Sequence, residues 1–271
     1  GAPGRSRDPC ADAGAQGSGG DRMSSHAVSR AGFDLGLAGS RAVVTGGSGA
    51  IGAAICRMLV EQGVTVWSLD LGLPSERIPG VHAVTADVRS RESIANASVE
   101  IGRDGPVDIL VNSHGLQIRA SAMDCTDGAL ADILDVNVGG CWRTCQAFGA
   151  QMKERGGAIV NIASINGIVA AKTGAAYGVS KAALIHFTRI LALELAPAVR
   201  VNAVAPTAVR SAMTADLFRD PAYEQGKKAT IPLGRVATAE DVASAAVLLA
   251  SRRTGFVTGQ TWAVDGGISL P

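Results

Sequence analysis

Tyr177 and Lys181 stand four residues apart, and Ser164 lies thirteen residues upstream of the tyrosine, at the end of the apolar run Ala158–Ala163. On a helix the four-residue spacing places phenol and ammonium on one face. A neighbouring ammonium favours the phenolate. Such a tyrosine serves as a base toward a hydroxyl proton or as an acid toward a carbonyl oxygen. A serine hydroxyl at a strand end can hold the same oxygen, so the trio points to chemistry on an alcohol or ketone. The chain holds a second copy of the spacing, Tyr223 and Lys227, with Ser211 twelve residues before Tyr223. Gly226 interrupts that copy, Pro221 precedes it and no apolar strand leads into Ser211, so it is read as structural. The first copy opens an Ala/Leu-rich stretch, Ala182 to Leu195, that reads as a long buried helix.

From Leu37 onward apolar strands alternate with helical stretches. The strands are expected at Arg41–Thr45, Val64–Leu69, Val81–Ala86, Ile109–Asn112, Ala158–Ala163, Arg200–Val204 and Thr261–Val264. Helices are expected at Ile51–Gln62, Val138–Glu154, Ala176–Leu195 and Glu240–Ala250, the last opened by a capping box of Thr238 and Asp241. Strands that are apolar throughout imply a sheet covered on both faces. The expected fold is a single α/β domain over residues 31–271, a Rossmann-type doubly wound parallel sheet of about seven strands with helices on both faces. The polar stretch Ser211–Gly234 holds Pro221 and Pro232 and interrupts the alternation; it is expected to fold as a mobile lid.

The first strand runs into Thr45-Gly46-Gly47-Ser48-Gly49-Ala50-Ile51-Gly52 and then an apolar helix. Glycines at such a turn let backbone approach a pyrophosphate, and the helix N-terminus supplies free N–H groups. Asp70 follows about twenty residues on, as a dinucleotide fingerprint requires. A carboxylate there accepts hydrogen bonds from ribose hydroxyls and repels a 2′-phosphate. No Arg or Lys sits in the glycine turn or directly after Asp70. The expected cofactor is NAD, with NADP disfavoured.

At 271 residues the chain can bury a full core, and one domain accounts for it. Hydrophobic residues make up 47% and net charge is +1, which gives no footprint for nucleic acid or an acidic membrane surface. No apolar run is long enough to span a bilayer, and no secretory signal pattern opens the chain. Cys10, Cys56, Cys125, Cys141 and Cys145 form no disulfide framework; an odd set of thiols fits the cytoplasm. His26, His82, His114 and His186 are scattered, so no metal is expected. Residues 1–30 are Gly/Ser/Ala/Arg-rich and are read as a disordered leader or remnant, with Met23 as a candidate natural start.

With these residues assembled, the chain resembles the short-chain dehydrogenase/reductase family over about Leu37 to Gly267. The glycine turn matches the family's T-G-x-x-x-G-x-G with Ala50 in place of the middle glycine. Asp87-Val88 looks like the adenine-contacting pair. Asn112-Ser113-His114-Gly115 looks like N-N-A-G with two departures. Val264-Asp265-Gly266-Gly267 looks like the C-terminal signature. The resemblance implies a catalytic tetrad of Asn137, Ser164, Tyr177 and Lys181. Tyr177 would take the substrate proton, Lys181 would support it and hold the nicotinamide ribose, Ser164 would bind the substrate oxygen, and Asn137 would hold a relay water. It implies cofactor contacts at Gly46, Ser48, Ile51, Asp70, Asp87, Val88, Asn112, Gly115, Tyr177, Lys181, Pro206, Val209 and Ser211. Thr207 stands where the family usually has glycine.

For substrate the sequence is less specific. Gly115–Arg119 resembles the same loop in the gluconate 5-dehydrogenase and 2-keto-3-deoxygluconate-type branch. Arg119 is the candidate for a sugar-acid carboxylate, Arg210 for another anionic group, and His114 for a titrating group beside the substrate. The expected activity is NAD-dependent interconversion of a secondary alcohol and a ketone, on a polyol, sugar or sugar acid. Alternatives are a 3-oxoacyl-carrier-protein reductase-like enzyme and a catalytically silent NAD-binding module. The resemblance also implies a homotetramer, in keeping with the apolar surface expected on the helices Val138–Glu154 and Ala176–Leu195.

Overall fold

The computed structural model describes Gly1 and residues 34–73, 77–172 and 174–270; the leader expected at residues 1–30 falls almost wholly outside them. One compact unit begins at Asp34. Its strands are β1 (Arg41–Thr45), β2 (Thr65–Asp70), β3 (Val81–Thr85), β4 (Ile109–Asn112), β5 (Gly157–Ile162), β6 (Val199–Pro206) and β7 (Thr261–Val264). They form one seven-stranded sheet in the order β3-β2-β1-β4-β5-β6-β7. Every pairing is parallel.

Side chains alternate across the sheet with period two, and each face has its own core. Ala42 and Val44 of β1 join the cluster that includes Ile55, Leu59, Val242 and Leu249. Val43 joins the opposite cluster with Ile94, Phe148 and Leu184. The first cluster belongs to α1 (Ala50–Glu61) and α7 (Ala239–Ala250), the second to α2 (Arg91–Gly102), α4 (Cys141–Met152) and α5 (Ala175–Leu195). The expected Thr238–Asp241 capping box opens α7. The outer strand β3 departs from the apolar pattern: His82, Ala83 and Thr85 are exposed, because no further strand covers this edge. Strand order reverses at β1 and β4. There the crossovers leave in opposite directions and a crevice opens beyond the carboxyl ends of the strands.

Two helical segments differ from the sequence expectation in ways that bear on the site. The helix expected to start at Val138 is preceded by α3 (Asp127–Leu134) and a π-helical turn, Asp135–Gly140, before α4 begins at Cys141. In the lid region, α6 (Pro221–Thr230) runs straight through Gly226. Pro221 starts this helix. At the first helical position its missing N–H costs nothing, and Asp220 caps the turn through the Ala222 N–H at 2.9 Å. Tyr223 and Lys227 therefore do share a helix face, with the Lys227 ammonium 5.6 Å from the Tyr223 ring centre.

Candidate active site

A cavity of about 650 Å³ opens at the strand reversal. One end is the glycine turn between β1 and α1. Gly46 has φ +66°, and a Cβ there would lie 2.7 Å from the His114 backbone. At Gly52 a Cβ would lie 2.2 Å from the Gly46 carbonyl. Only glycine lets turn, helix and β4 loop close together here. Gly49 gives α1 no side-chain cap, and no acidic residue occupies the first helical turn. The N–H groups at this end are thus kept for a ligand.

Asp70, at the end of β2, lines the same end. Its carboxylate accepts the Ser48 N–H at 3.1 Å and the Leu71 N–H at 2.9 Å, which aims it into the crevice. Ile51, Asp87 and Val88 also line this end. Asp87 is gripped by Arg89, with Nη2 to Oδ2 at 2.9 Å, and hydrogen bonding from that guanidinium holds its carboxyl below the usual range.

The other end carries Ser164, Tyr177 and Lys181. Ser164 follows β5 and opens the short 3-10 turn Ile165–Gly167, its hydroxyl accepting the Asn166 N–H at 3.2 Å. Tyr177 and Lys181 occupy the first turns of α5. Lys181 is 3% exposed, donates to the Ile162 carbonyl at 2.8 Å and holds its ammonium 5.6 Å from the Tyr177 ring centre. Asn137 sits in the π turn, a widened turn often found at functional sites. Its amide accepts the Leu116 N–H at 2.7 Å, donates to the Leu116 carbonyl at 3.0 Å and donates to Ser180 Oγ at 2.9 Å. Ser180 in turn donates to the Tyr177 carbonyl at 2.7 Å. The loop after β4 is thereby tied to the first turn of α5, with Gly115 between Asn137 and Lys181. Oδ1 of Asn137, which accepts the Leu116 N–H, has capacity for a second hydrogen bond. Ser180 was not singled out in the sequence; a serine between Tyr177 and Lys181 has no signature until the π turn brings Asn137 to it.

Pro206, Val209 and Ser211 line the cavity after β6. Ser211 and Thr214 share a capping arrangement, their hydroxyls 3.1 Å apart. Thr207 also lines the cavity, and its hydroxyl is one of the buried polar atoms among the described residues without a hydrogen-bond partner. The glycine cradle, the aimed Asp70 and this orphaned hydroxyl fit a dinucleotide running from the turn to Tyr177.

Several expected contacts are placed elsewhere. Asn112 is fully buried beneath the cavity. Its side chain donates to Asn161 at 2.9 Å and accepts from Thr144 at 2.7 Å, because Thr45, Asn112 and Asn161 stand in register across three strands. It braces the strand ends. Ser48 does not line the cavity; its contribution is the N–H that orients Asp70. His114 lines the cavity, but its ring nitrogens are engaged by protein partners. Nδ1 lies 2.6 Å from Thr45 Oγ1 and Nε2 lies 3.6 Å from Cys141 Sγ, so both ring nitrogens are turned inward. Burial, with Lys181 nearby, lowers its pKa to about 3, and it adds no titrating group at working pH. Arg210 lies outside the cavity lining; it pairs with Glu224 and stacks on Phe218 at 4.6 Å, bracing the lid internally. Arg119 lines the cavity, but its charge is taken up by Asp216 at 2.7 Å and the Met213 carbonyl at 2.9 Å. It fastens the segment after β6 to the loop after β4. Tyr223 and Lys227, read as structural from the sequence, both line the same cavity.

Comparison with known proteins agrees with this geometry. The family model described as enoyl-(acyl carrier protein) reductase matches residues 46–269. Galactitol 2-dehydrogenase (L-tagatose-forming) of Cereibacter sphaeroides is 35% identical over 86% of this chain and 96% of its own length. The 3-oxoacyl-[acyl-carrier-protein] reductase of Chlamydia muridarum is 33% identical over 86% of this chain and 98% of its own. The crystal structure of gluconate 5-dehydrogenase from Burkholderia cenocepacia, in complex with NADP and tartrate, superposes with a TM-score of 0.81 at 28% identity, covering 88% of this chain and 98% of that one. The chain belongs to the short-chain dehydrogenase/reductase family, whose members are NAD(P)-dependent oxidoreductases acting on CH–OH groups.

Proposed function

We propose that the protein is an NAD-dependent dehydrogenase interconverting a secondary alcohol and a ketone on a polyol, sugar or sugar acid. The observation that carries the reading is the Ser164, Tyr177 and Lys181 constellation, braced by Asn137, at one end of a cavity whose other end is the glycine turn. The turn and the N-terminus of α1 would hold the pyrophosphate, Asp70 the adenosine ribose, and Asp87 and Val88 the adenine. Lys181 would hold the nicotinamide ribose, with Pro206, Val209, Ser211 and the free hydroxyl of Thr207 at the nicotinamide. A nicotinamide held there would supply the acceptor for a hydride from the carbinol carbon, or the donor of one to the ketone carbon. Tyr177 takes the hydroxyl proton as the hydride leaves, and gives it back in the reverse direction. Lys181 would stabilise the phenolate form of Tyr177 that accepts this proton. Ser164 donates to the substrate oxygen and fixes its distance from Tyr177. Asn137 keeps the Leu116 loop and the start of α5 in register, and its free lone pair supports proton exchange between Lys181 and solvent.

The test is a panel of polyols, sugar acids and secondary alcohols followed by absorbance of the reduced cofactor. The second reading, a 3-oxoacyl-carrier-protein reductase-like enzyme, draws on the relative of 33% identity and shares the tetrad. Reduction of a 3-oxoacyl thioester at a higher kcat/KM than any sugar ketone would favour it.

For the cofactor, Asp70 stands where an adenosine ribose would lie, and Arg89, the cation lining that end, is engaged by Asp87. Among the described residues lining that end, a 2′-phosphate would meet a carboxylate and no uncommitted cation. Asp70→Ser should raise kcat/KM with NADP roughly 10-fold or more while lowering it with NAD, since each 1.4 kcal/mol of repulsion removed is about tenfold. Equal kcat/KM for the two cofactors in the unaltered enzyme would end the NAD assignment.

Residues 211–234 are proposed as the substrate lid and residues 31–271 as one catalytic domain. We also assign a homotetramer. Trp142 of α4 and Val179, Ile190 and Leu193 of α5 are exposed, and Trp142 stacks on Phe187 at 4.8 Å, joining the two helices into one apolar face. Such a face calls for a partner. Light scattering should return four times the chain mass; a monomer at micromolar concentration would contradict it. The described cysteines are free thiols and no described helix is long and apolar enough to cross a membrane, which supports a cytoplasmic setting.

A further inference from the structure

The lid repeats the phenol–ammonium spacing of the catalytic helix and turns it toward the same cavity. Charges along that cavity are unevenly compensated. The carboxylates that line it among the described residues, Asp70 and Asp87, both stand at the glycine-turn end. At the tetrad end, Arg119 is neutralised by Asp216, and Lys181 is buried against the Ile162 carbonyl. Among the described residues Lys227 has neither kind of partner. It is half-buried, and the described contact of its ammonium is the face of Tyr223. Tyr223 is itself wedged edge-on against Phe218 at 5.3 Å. The Arg119–Asp216 pair lies close enough for both members to act on the Tyr223 hydroxyl. The aromatic face thus fixes where the Lys227 stem emerges, and the ammonium keeps its hydrogen-bonding capacity for something in the cavity.

We infer that Lys227, positioned by Tyr223, reads an anionic end group on a polyhydroxy substrate, so that the enzyme prefers substrates ending in a carboxylate or a phosphate over neutral polyols. The inference rests on the dehydrogenase reading and names the substrate class of that site. It also moves the anion-reading role from Arg119, whose guanidinium is spent on closing the lid. A carboxylate or phosphate at the lid wall would meet a cation that forms no ion pair among the described residues, in a cavity partly shut off from water, where a charge-assisted hydrogen bond is strong.

The test measures kcat/KM for three probes of equal chain length, D-sorbitol, D-gluconate and D-sorbitol 6-phosphate, each with NAD and with NADP. The readout is the ratio of each anionic probe to sorbitol, in the wild type and in Lys227→Gln, Lys227→Arg and Arg119→Gln. Lys227→Gln should lower the better anionic ratio by about 10- to 150-fold, mostly through KM, the worth of one charge-assisted hydrogen bond. Lys227→Arg should restore most of it, which a merely structural role for the stem would not require. Arg119→Gln should slow all three probes together and leave the ratios near their original values. Which anionic probe loses more tells carboxylate from phosphate. Sorbitol turnover with ratios that Lys227→Gln leaves unchanged would overturn the inference and keep the dehydrogenase reading. An anionic preference abolished by Arg119→Gln alone would return the role to Arg119. Absence of cofactor reduction with every probe would overturn both.

Discussion

Tyr177→Phe is expected to lower kcat by about 10²- to 10⁴-fold, the range for removal of an acid–base group, while the affinity for NADH changes little. The ring stays packed at the start of α5, and Lys181 still donates to the Ile162 carbonyl. What disappears is the phenol hydroxyl beside Ser164 and Lys181 in the cavity lining. Tyr223 lines the same cavity with the same spacing to a lysine, so it is the natural control. Burial pushes the Tyr223 phenol above its ordinary pKa, which makes it a poor proton acceptor at working pH. Tyr223→Phe should therefore alter KM far more than kcat. Stopped turnover in Tyr223→Phe with Tyr177→Phe still active would exchange the two assignments.

Gly46→Ala should be strongly damaging to the glycine turn. Gly46 has φ +66°, and a Cβ would stand 2.7 Å from both Cα and N of His114. The left-handed conformation costs a non-glycine residue roughly 1–2 kcal/mol, and forcing a methyl into packed backbone adds roughly 1–3 kcal/mol. Neither neighbour can move freely, because His114 is anchored to Thr45 and packed over Gly140. A loss of about 2–5 kcal/mol, or roughly 4–20 °C in Tm, is expected. Cofactor affinity should fall with it, since the turn and the first N–H groups of α1 shift together. Thermal unfolding with and without NAD checks both parts. An unchanged Tm with intact NAD binding would mean that the turn is not held as tightly as the close approach implies.

What was legible in the sequence was whatever is encoded over short range. The glycine turn, Asp70 at a strand end, the Thr238 capping box and the Tyr177–Lys181 spacing each need only a strand or helix to acquire their geometry, and the period-two and 3.6-residue patterns supply those elements. Assignments that depended on distant partners fared differently. Arg119 looked like a free cation because Asp216, its partner, lies 97 residues away. His114 reads as a titrating group beside the substrate because Thr45, which engages its ring, lies 69 residues away. Asn112 looked like a cofactor contact until strand register stacked it on Asn161. The lid helix was hidden for a local reason: Pro221 and Gly226 were weighed as breakers, whereas Asp220 followed by proline is a helix start. That misjudgement concealed Lys227.

The central claim is that this chain moves a hydride between a carbinol carbon and a nicotinamide, with Tyr177 handling the proton. The most direct measurement uses a sugar alcohol or aldonate deuterated at the reacting carbinol carbon, with NAD, and determines by mass spectrometry where the deuterium goes. The account predicts one deuterium in the recovered NADH for each ketone formed, with both products falling together in Tyr177→Phe. Ketone formed without deuterium in the cofactor, or NAD bound tightly while no alcohol reduces it, would contradict it.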